Sequence, residues 1–385
     1  MNILIASDSF KDSLTSMQVA NSIQKGFSKV FNDAKYNKFF LADGGEGTLE
    51  SICTQSANSE EIQVEVLNPI DEKITAKYAF IDEKTAVIEM AQASGLEIVK
   101  KEKRDIINST SFGFGQLIAD SIKNGAKKLI LAIGGSATND VGIGMLQALG
   151  VKFYDEHNEE ISAMKILTAK DIFKIENFDI SALSAFKDIE IIIASDVTNP
   201  LCGKNGATHI FGKQKGATSK HIEFLEESIF KFSKICEKKL AKKTKDEQGA
   251  GAAGGVGFAL NTFLNARFKS GIDTVIKLIN FEEKVKNADL IITGEGRVDE
   301  QTIYGKTITG VLKLSKHYNK PAIIIAGSLD EGYEKLYTLG ATAIFDITPA
   351  PLNIEDLLSQ ADKNLSRIAY SIASLLQLGQ TNLKV

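Results

Sequence analysis

The sequence predicts an α/β protein with two domains, and three observations support this class. Near the C-terminus, short apolar runs alternate with helical patterns, which is typical of a parallel sheet covered by helices. After residue 60, apolar and polar residues alternate in consecutive segments, which indicates strands without crossover helices between them. The 385 residues, 43% hydrophobic and 24% charged, suffice for about two or three hydrophobic cores, and we expect two domains.

The first strand is predicted over residues 2–6, and a polar loop over residues 7–14 follows it. Thr15 and Gln18 have the spacing of a capping box, which opens an amphipathic helix. The loop lies at the carboxyl end of a strand, where open α/β sheets bind ligands. A plain polar connector is the alternative. The loop residues with functional groups are Asp8, Ser9, Lys11, Asp12 and Ser13.

A second strand over residues 36–42 runs into the sequence DGGEGT, residues 43–48. Asp43 and Glu46 lie among glycines here, immediately before a helical pattern. Carboxylates close to a helix N-terminus are favoured by the helix dipole, which is one explanation for them. Binding of a metal or of a substrate hydroxyl is the other.

The stretch from residue 129 to residue 150 has the order strand, loop, helix. Five apolar residues, 129–133, are too few for an ordinary helix and predict a strand buried on both faces. A helical pattern then ends at Gly150. Such a loop presents backbone N–H groups to an anion, usually phosphate, although a tight turn that needs only small residues is the alternative. Its residues include Gly134, Gly135, Ser136, Thr138, Asn139 and Asp140.

The strand predicted over residues 189–194 is followed by a polar cluster, SDVTNP. A mixture of glycine and lysine over residues 203–216 suits either an anion-covering loop or a flexible surface loop. A long polar helix is then predicted up to Lys245. Behind it, residues 249–257 contain five glycines among alanines, so the backbone must pass close to a packed helix or to a nucleotide.

The last part of the chain returns to alternating strands and helices. Gly305, Lys306 and Thr307 resemble the end of a Walker A loop, but position 300 holds Glu300 where that motif needs glycine. The chain therefore has no Walker loop here. Strands are predicted over residues 290–293, 322–326 and 342–346, and a closing helix over residues 354–376.

Composition excludes several classes of function. A formal net charge of −4 provides no basic field for nucleic acid. Cys53, Cys202 and Cys236 have no CxxC spacing, so neither a disulfide framework nor a zinc site is indicated. No targeting pattern and no run of 18 apolar residues is present, and we expect a cytoplasmic protein without a membrane partner. The four histidines lie outside any motif, which argues against histidine-based nucleophilic catalysis.

The strand ends share one character, since they carry glycines with carboxylates or hydroxyls, together with a few lysines and an arginine. This set suits phosphoryl transfer, in which a protein mainly positions the reactants and stabilises charge.

Six motifs in this order resemble the bacterial glycerate kinase family, as in glycolate and glucarate degradation. They are ASDSFKDSLTS from residue 6, ADGGEGT from 42, GGSATNDVGIGMLQALG from 134, SDVTNPLCGKNGA from 195, GAGAAGGVGFAL from 249 and GEGRVDEQTIYGKT from 294. The resemblance covers nearly the whole chain. Family members often have proline at the positions of Ser7, Lys204 and Ile308, and glycine at that of Val141.

The resemblance implies ATP-dependent phosphorylation of D-glycerate with Mg²⁺, and 2-phosphoglycerate as the product. It implies a flavodoxin-like, parallel-sheet domain formed by both chain ends, residues 1–60 and 290–385, with an inserted mixed α/β domain over residues 61–289. Phosphorylation of the other hydroxyl and a non-catalytic hydroxy-acid-binding module are the alternatives. The oligomeric state stays open, a homodimer included.

Roles follow from what such a kinase needs, namely a cation for the substrate carboxylate, a base or positioning carboxylate for its hydroxyl, and metal ligands for the nucleotide. The catalytic candidates are Asp196 as base or metal ligand, Lys11, Asp8, Arg297 and Lys306. The substrate-binding candidates are Ser9, Asp43, Glu46, Thr198 and Asn199. The ATP-binding candidates are Gly134, Gly135, Ser136, Thr138, Asn139, Gly254 and Gly255, and the metal candidates besides Asp196 are Glu295 and Asp299.

Overall fold

The computed structural model describes residues 1–10, 13–56, 58–303, 307–351 and 353–382. The chain divides into two compact units. The first unit combines both chain ends, Met1–Asp43 and Ile272–Val385, and the second is Gly44–Gly271. Whether these units are the independently folding domains predicted with borders near residues 60 and 290 stays a prediction.

Strands and helices alternate along much of the chain and are numbered in chain order. The strands are β1 (Asn2–Ser7), β2 (Lys35–Phe40), β3 (Glu60–Leu67), β4 (Lys73–Phe80), β5 (Thr85–Glu89), β6 (Lys128–Ala132), β7 (Lys152–Tyr154), β8 (Asn177–Asp179), β9 (Glu190–Ala194), β10 (Arg267–Lys269), β11 (Leu290–Thr293), β12 (Arg297–Val298), β13 (Ala322–Ala326), β14 (Ser328–Leu329) and β15 (Ala343–Asp346). The helices are α1 (Ser16–Phe27), α2 (Thr48–Cys53), α3 (Ala91–Ser94), α4 (Phe112–Lys123), α5 (Ile143–Ala148), α6 (Ala207–Phe211), α7 (Ser219–Leu240), α8 (Val256–Leu264), α9 (Gly271–Leu278), α10 (Phe281–Lys286), α11 (Thr307–His317), α12 (Lys335–Leu339), α13 (Ile354–Ser359) and α14 (Ala361–Asn382).

The first unit is built on a parallel sheet with the strand order β2-β1-β11-β13-β15. Numbered within this unit, the order is 2-1-3-4-5, which is that of flavodoxin. Strand β1 from the N-terminal end lies beside β11 from the C-terminal part, with Ile5 opposite Ile292. The predicted fold class, a flavodoxin-like sheet made from both chain ends, is therefore confirmed.

Helix α1 illustrates how the sequence specifies the helices that cover this sheet. Thr15 is its N-cap, and the capping box with Gln18 is present as predicted. Its apolar stripe, including Val19, Ile23 and Phe27, is fully buried. Gly26 lies so close to α14 that a Cβ atom placed on it would be 2.4 Å from the carbonyl oxygen of Ser366.

The second unit is built on a mixed sheet with the order β10-β9-β6-β5-β4-β3. Strands β10, β9, β6 and β5 are parallel, whereas β5, β4 and β3 form an antiparallel meander. The meander matches the alternating patterns that follow residue 60 in the sequence. Strand β6 is almost entirely buried, as its apolar run predicts.

The predicted continuity of the closing helix and the predicted end of the long polar helix were wrong. The closing helix is interrupted at Gln360, which lies between α13 and α14. The φ of Gln360 is −103°, which departs from helical values. Helix α7 ends at Leu240 instead of near Lys245, because Ala241 adopts a left-handed conformation with a φ of 54°. In the described part of the chain, no helix is long and apolar enough to cross a membrane.

The close approach of α1 to α14 predicts that the substitution Gly26→Ala lowers the free energy of unfolding by ~1–3 kcal/mol, because the added methyl group must push the helices apart. Gly379→Ala is the matched control. Gly379 also lies in α14, but a Cβ atom there would meet nothing within 4 Å. Urea unfolding of both variants measures the difference, and equal midpoints would contradict the packing described here.

Candidate functional site

The parallel strands of the second unit end at one edge of its sheet, and polar groups follow each of them. Asp196 comes after β9, and its Oδ1 accepts a hydrogen bond from the backbone N–H of Gly271, 3.0 Å away, just after β10. Glu89 is the last residue of β5. This edge is where open α/β sheets bind ligands.

The segment after β6, residues 134–140, is called the glycine loop here. A Cβ atom on Gly134 would lie 2.6 Å from the Cα atom of Gly45, and the Gly134 N–H donates to the carbonyl of Gly44 at 3.0 Å. On another face, a Cβ atom on Gly254 would lie 2.1 Å from the carbonyl oxygen of Thr138. Backbone therefore packs directly on backbone, which only glycine permits.

Asp140 fixes the end of the glycine loop. Its buried carboxylate accepts hydrogen bonds from the N–H and hydroxyl of Ser111, at 2.7 and 2.8 Å, and from the N–H groups of Gly142 and Gly144, at 3.1 and 3.2 Å. Burial raises the pKa of Asp140 above its ordinary value. Removal of this carboxylate would leave several buried donors without an acceptor, so its role is structural.

Val141, the next residue, has a φ of 50° and is fully buried. A β-branched residue rarely adopts this left-handed conformation, which glycine takes without strain. The turn after the glycine loop therefore requires the left-handed conformation, although the β-branched side chain of Val141 disfavours it.

Lys215 lies against the glycine loop from the glycine- and lysine-rich stretch. Its side chain is 2% exposed, and its Nζ donates to the Ser136 hydroxyl at 2.9 Å and to the Thr138 carbonyl at 2.7 Å. Burial lowers the pKa of Lys215 to about 7, and the nearby Asp140 carboxylate opposes this shift. The composition of the stretch suggested a cationic loop, but did not indicate which lysine is buried.

Glu89 is a second residue that the sequence did not reveal. Its fully buried carboxylate accepts from the N–H of Gly47 at 3.2 Å and from the N–H of Leu49 at 2.9 Å, so it caps α2. Burial raises the pKa of Glu89. Glu46, which lies next to this cap, also has a raised pKa because of partial burial and the nearby charge of Glu97.

Two buried polar atoms in the glycine loop lack a partner in the described part of the chain. These are the Thr138 Oγ1 and the Asn139 Oδ1. The Ser94 Oγ beside the loop also lacks a hydrogen-bond partner among the described residues. Asn139 uses its Nδ2 to donate to the Thr208 hydroxyl at 2.9 Å. A bound polar group or water satisfies such atoms in most proteins, so they are consistent with a ligand at this loop.

The first unit has its own cluster at the ends of β1 and β11. The Asp8 N–H donates to the Gly294 carbonyl at 2.9 Å, and the Asp8 carboxylate accepts from the Ser9 N–H at 2.6 Å and the Thr307 hydroxyl at 3.3 Å. Glu295, which is 8% exposed, accepts from the Thr302 hydroxyl at 2.6 Å.

Arg297 and Asp299 lie beside this cluster. The Arg297 side chain is 69% exposed, and its Nε donates to the Asp330 carboxylate at 2.7 Å. The Thr302 hydroxyl that bonds Glu295 also accepts from the Asp299 N–H at 3.1 Å. The hydroxyl of Thr302 thus links two of the predicted metal-binding residues, Glu295 and Asp299.

The remaining predicted site residues have varied surroundings. Lys11 and Lys306 lie outside the described residues. Asp43 and Thr198 are exposed, and Asn199 donates to the Asn205 carbonyl at 2.9 Å. The structure accounts for Gly254 and Gly255 by packing, because their backbones contact residues 138–141 of the loop region.

The chemistry of these residues fits a nucleotide and its metal ion. The glycine loop offers exposed backbone at Gly135, together with hydroxyls and a cation behind them. Among the residues described, no group of three or more His, Cys, Asp or Glu side chains could hold a metal ion by itself. Magnesium, however, usually takes one or two carboxylates and completes its shell with waters and substrate phosphates.

Comparison with known proteins places this chain in a family. The sequence model of the glycerate kinase family matches residues 3–377, and the chain belongs to that family. Glycerate kinase of Bacillus subtilis (strain 168) is 43% identical over 383 residues, which cover 99% of each chain. Glycerate 2-kinase of Escherichia coli (strain K12) is 43% identical over 384 residues, covering 99% of this chain and all of the other.

A solved structure agrees with this membership. The crystal structure of a protein assigned as glycerate kinase 2, from Salmonella typhimurium LT2, superposes with a TM-score of 0.83 at 40% identity, covering 99% of both chains. The expected family is therefore confirmed. The roles of individual site residues stay predictions.

The cap formed by Glu89 predicts that Glu89→Gln lowers the free energy of unfolding by ~1–3 kcal/mol, because the NH₂ group of glutamine would face a buried backbone N–H that needs an acceptor. Glu89→Ala removes both acceptors and should cost more. The control is Glu83→Gln, an exposed glutamate in the turn before β5. Unfolding in urea gives the comparison, and an E89Q midpoint equal to that of E83Q would refute the capping role.

Proposed function

We propose that this protein is a kinase that transfers the γ-phosphoryl group of ATP to D-glycerate, with Mg²⁺, and that it forms 2-phosphoglycerate. The observation that carries the proposal is family membership over almost the entire chain, together with 43% identity to a relative named glycerate 2-kinase. The kinase family implies ATP as the donor. Further support comes from the two strand-end clusters, whose carboxylates, hydroxyls and backbone N–H groups suit phosphoryl transfer.

The nucleotide phosphates are assigned to the glycine loop. Gly135 and Ser136 would offer backbone N–H groups to phosphate oxygens, and Ser136 would also offer its hydroxyl. The Gly134 N–H already donates to the Gly44 carbonyl, so Gly134 would shape the loop by its packing. The side chains of Thr138 and Asn139 lie deeper. Their oxygen atoms, which lack a partner in the described part of the chain, fit water held with the ligand, because the Asn139 Oδ1 can only accept a hydrogen bond. Gly254 and Gly255 support this loop through packing instead of contacting the nucleotide directly.

The substrate hydroxyl is assigned to Asp196. In the reaction, the hydroxyl oxygen forms a bond to the γ-phosphorus, the bond from that phosphorus to the bridging oxygen breaks, and ADP leaves with that oxygen. The hydroxyl proton passes to the Asp196 carboxylate, whose orientation is fixed by the N–H of Gly271. Glu46, Thr198 and Asn199 belong to the second unit, as Asp196 does, and are assigned to the substrate by hydrogen bonding. Ser9 and Asp43 of the first unit stay substrate-binding predictions from the sequence.

Charge neutralisation is assigned to cationic residues and to the metal. Magnesium would supply positive charge at the phosphate oxygens. Asp196 would be a ligand if it does not act as the base, and Glu295 and Asp299 are the alternative candidates. From the sequence alone, Lys11 is assigned to the glycerate carboxylate and Lys306 to the transferring phosphoryl group. Arg297 is assigned the same task, for which it must exchange the Asp330 carboxylate for a phosphoryl oxygen.

The proposed reaction predicts ADP release that depends on both D-glycerate and Mg²⁺. A coupled assay on the purified protein measures the rate with each component left out in turn. Phosphorus NMR of the product identifies the phosphorylated hydroxyl, and we expect 2-phosphoglycerate. Glycerate binding without any glycerate-dependent ADP would instead support a binding module, and 3-phosphoglycerate alone would correct the site of transfer.

The role of Asp196 predicts that Asp196→Asn folds normally and loses at least ~10²-fold in kcat, because the amide cannot take the hydroxyl proton. Asp188→Asn is the matched control, since Asp188 is exposed and precedes β9, at the opposite end of the same strand. Steady-state kinetics at saturating ATP, glycerate and Mg²⁺ give the ratio. Near-native turnover of D196N would pass the role to Asp8 or Asp299.

A further inference from the structure

Lys215 holds a cationic group directly behind the glycine loop. The backbone fixes it there, because Lys213–Lys215 form a tight turn that ends at Gly216. Gly216 has a φ of 90°, and a Cβ atom on it would lie 2.5 Å from the Arg104 carbonyl oxygen. The turn therefore cannot shift without breaking its contact with the segment around Arg104.

The hydrogen bonds of Lys215 determine how Ser136 is polarised. An ammonium group has donors and no acceptor, so Lys215 Nζ must donate to the Ser136 oxygen, 2.9 Å away. The serine proton is then left for another acceptor. Among the described residues, the Ser136 hydroxyl donates to none, although its side chain is only 5% exposed. A hydroxyl that accepts from a cation is a strong donor for an anionic oxygen.

The charges that face Lys215 do not neutralise it through a direct bond. Asp140 is the carboxylate whose charge acts on it, but both Asp140 oxygens are engaged by Ser111, Gly142 and Gly144. Arg104 is a charged residue on the neighbouring segment, and its Nη1 donates to the Gln214 carbonyl at 3.3 Å. Burial lowers the pKa of Lys215 to about 7, so a bound anion would hold it in the charged form.

We propose that Lys215 is a positioning residue that acts through Ser136 to bind an anionic oxygen at the glycine loop. In the function proposed above, on which this inference rests, that oxygen belongs to the phosphates of the donor nucleotide. The carboxylate of glycerate offers the same chemistry, and separate KM values for ATP and glycerate distinguish the two anions. A lysine with a purely structural role would affect stability without changing the pH dependence of ligand binding.

The test compares Lys215→Met with Lys213→Met, an exposed lysine of the same turn. Kinetics from pH 6 to pH 9 give kcat and the KM of each substrate. We expect K215M to raise the KM for ATP about ten-fold at pH 6, where wild-type Lys215 is charged, since a hydrogen bond to a charged group is lost. The difference should shrink as the pH rises through about 7, where Lys215 loses its proton.

The KM for glycerate should be unchanged, and K213M should match the wild type throughout. Ser136→Ala alone should raise the KM for ATP. Added to K215M, it should cause no further rise in this KM, because both residues act through one contact. A raised KM for glycerate alone would assign the anion to the substrate carboxylate. Wild-type KM values and an unchanged pH profile in K215M would overturn the inference.

A direct binding measurement separates this inference from the proposed function. Calorimetric titration of Mg²⁺-ATP at pH 6 and pH 8.5 needs no turnover, so it applies even if glycerate is not phosphorylated. The pH dependence that belongs to the nucleotide itself is common to all variants. If K215M does not fold, the wild type and S136A are compared instead. If their affinities for Mg²⁺-ATP are equal at both pH values, Lys215 does not act through Ser136.

Discussion

The contact of backbone with backbone around the glycine loop is the constraint on which the second unit depends. The loop packs on Gly45 at one face and on Gly254 at another, with no room for a Cβ atom at either contact. The glycine-rich stretches around Gly45 and Gly254 are far apart in sequence, and the need to pack against the same loop explains both. Side-chain packing tolerates substitutions of similar volume, whereas these contacts tolerate none without a shift of the backbone.

Buried charges then hold this arrangement in place. Asp140, Glu89 and Lys215 are each almost completely buried, and each one forms hydrogen bonds to backbone groups of a loop at the sheet edge. A buried charge without partners is costly, but one that satisfies several backbone groups fixes a single loop conformation. The cost of desolvation appears as raised pKa values of the carboxyl groups and a lowered pKa of the lysine. Preorganisation of this kind suits a site that must bind a multiply charged ligand.

Much of the fold could be predicted because its signals are local. Strands such as β6 and β11 are apolar runs bounded by turn residues, and the capping box of α1 lies within four residues of sequence. The helix ends at Ala241 and Gln360 could not be predicted, because neither residue is a helix breaker by its nature. Their conformations are set by the tertiary structure.

The candidate site was only partly predictable for a related reason. Polar loops at strand ends can be recognised from the sequence, but the partners of each side chain cannot. Glu89 appears as one acidic residue at the end of an apolar strand, and its partner Leu49 lies 40 residues away. Lys215 is one of several lysines, and only the fold shows that it is buried. The glycines at positions 254 and 255 fitted a nucleotide or a packed backbone equally well, and the structure shows the packing.

The central claim is that the glycine loop receives the phosphates of the donor, and hydrogen–deuterium exchange tests it most directly. Exchange is measured with and without Mg²⁺ and a non-hydrolysable ATP analogue at saturating concentration. The account predicts slower exchange in peptides that cover residues 134–140 and 213–216, because the ligand orders the loop and the turn behind it. Protection confined to other segments, with unchanged exchange across the glycine loop, would contradict it.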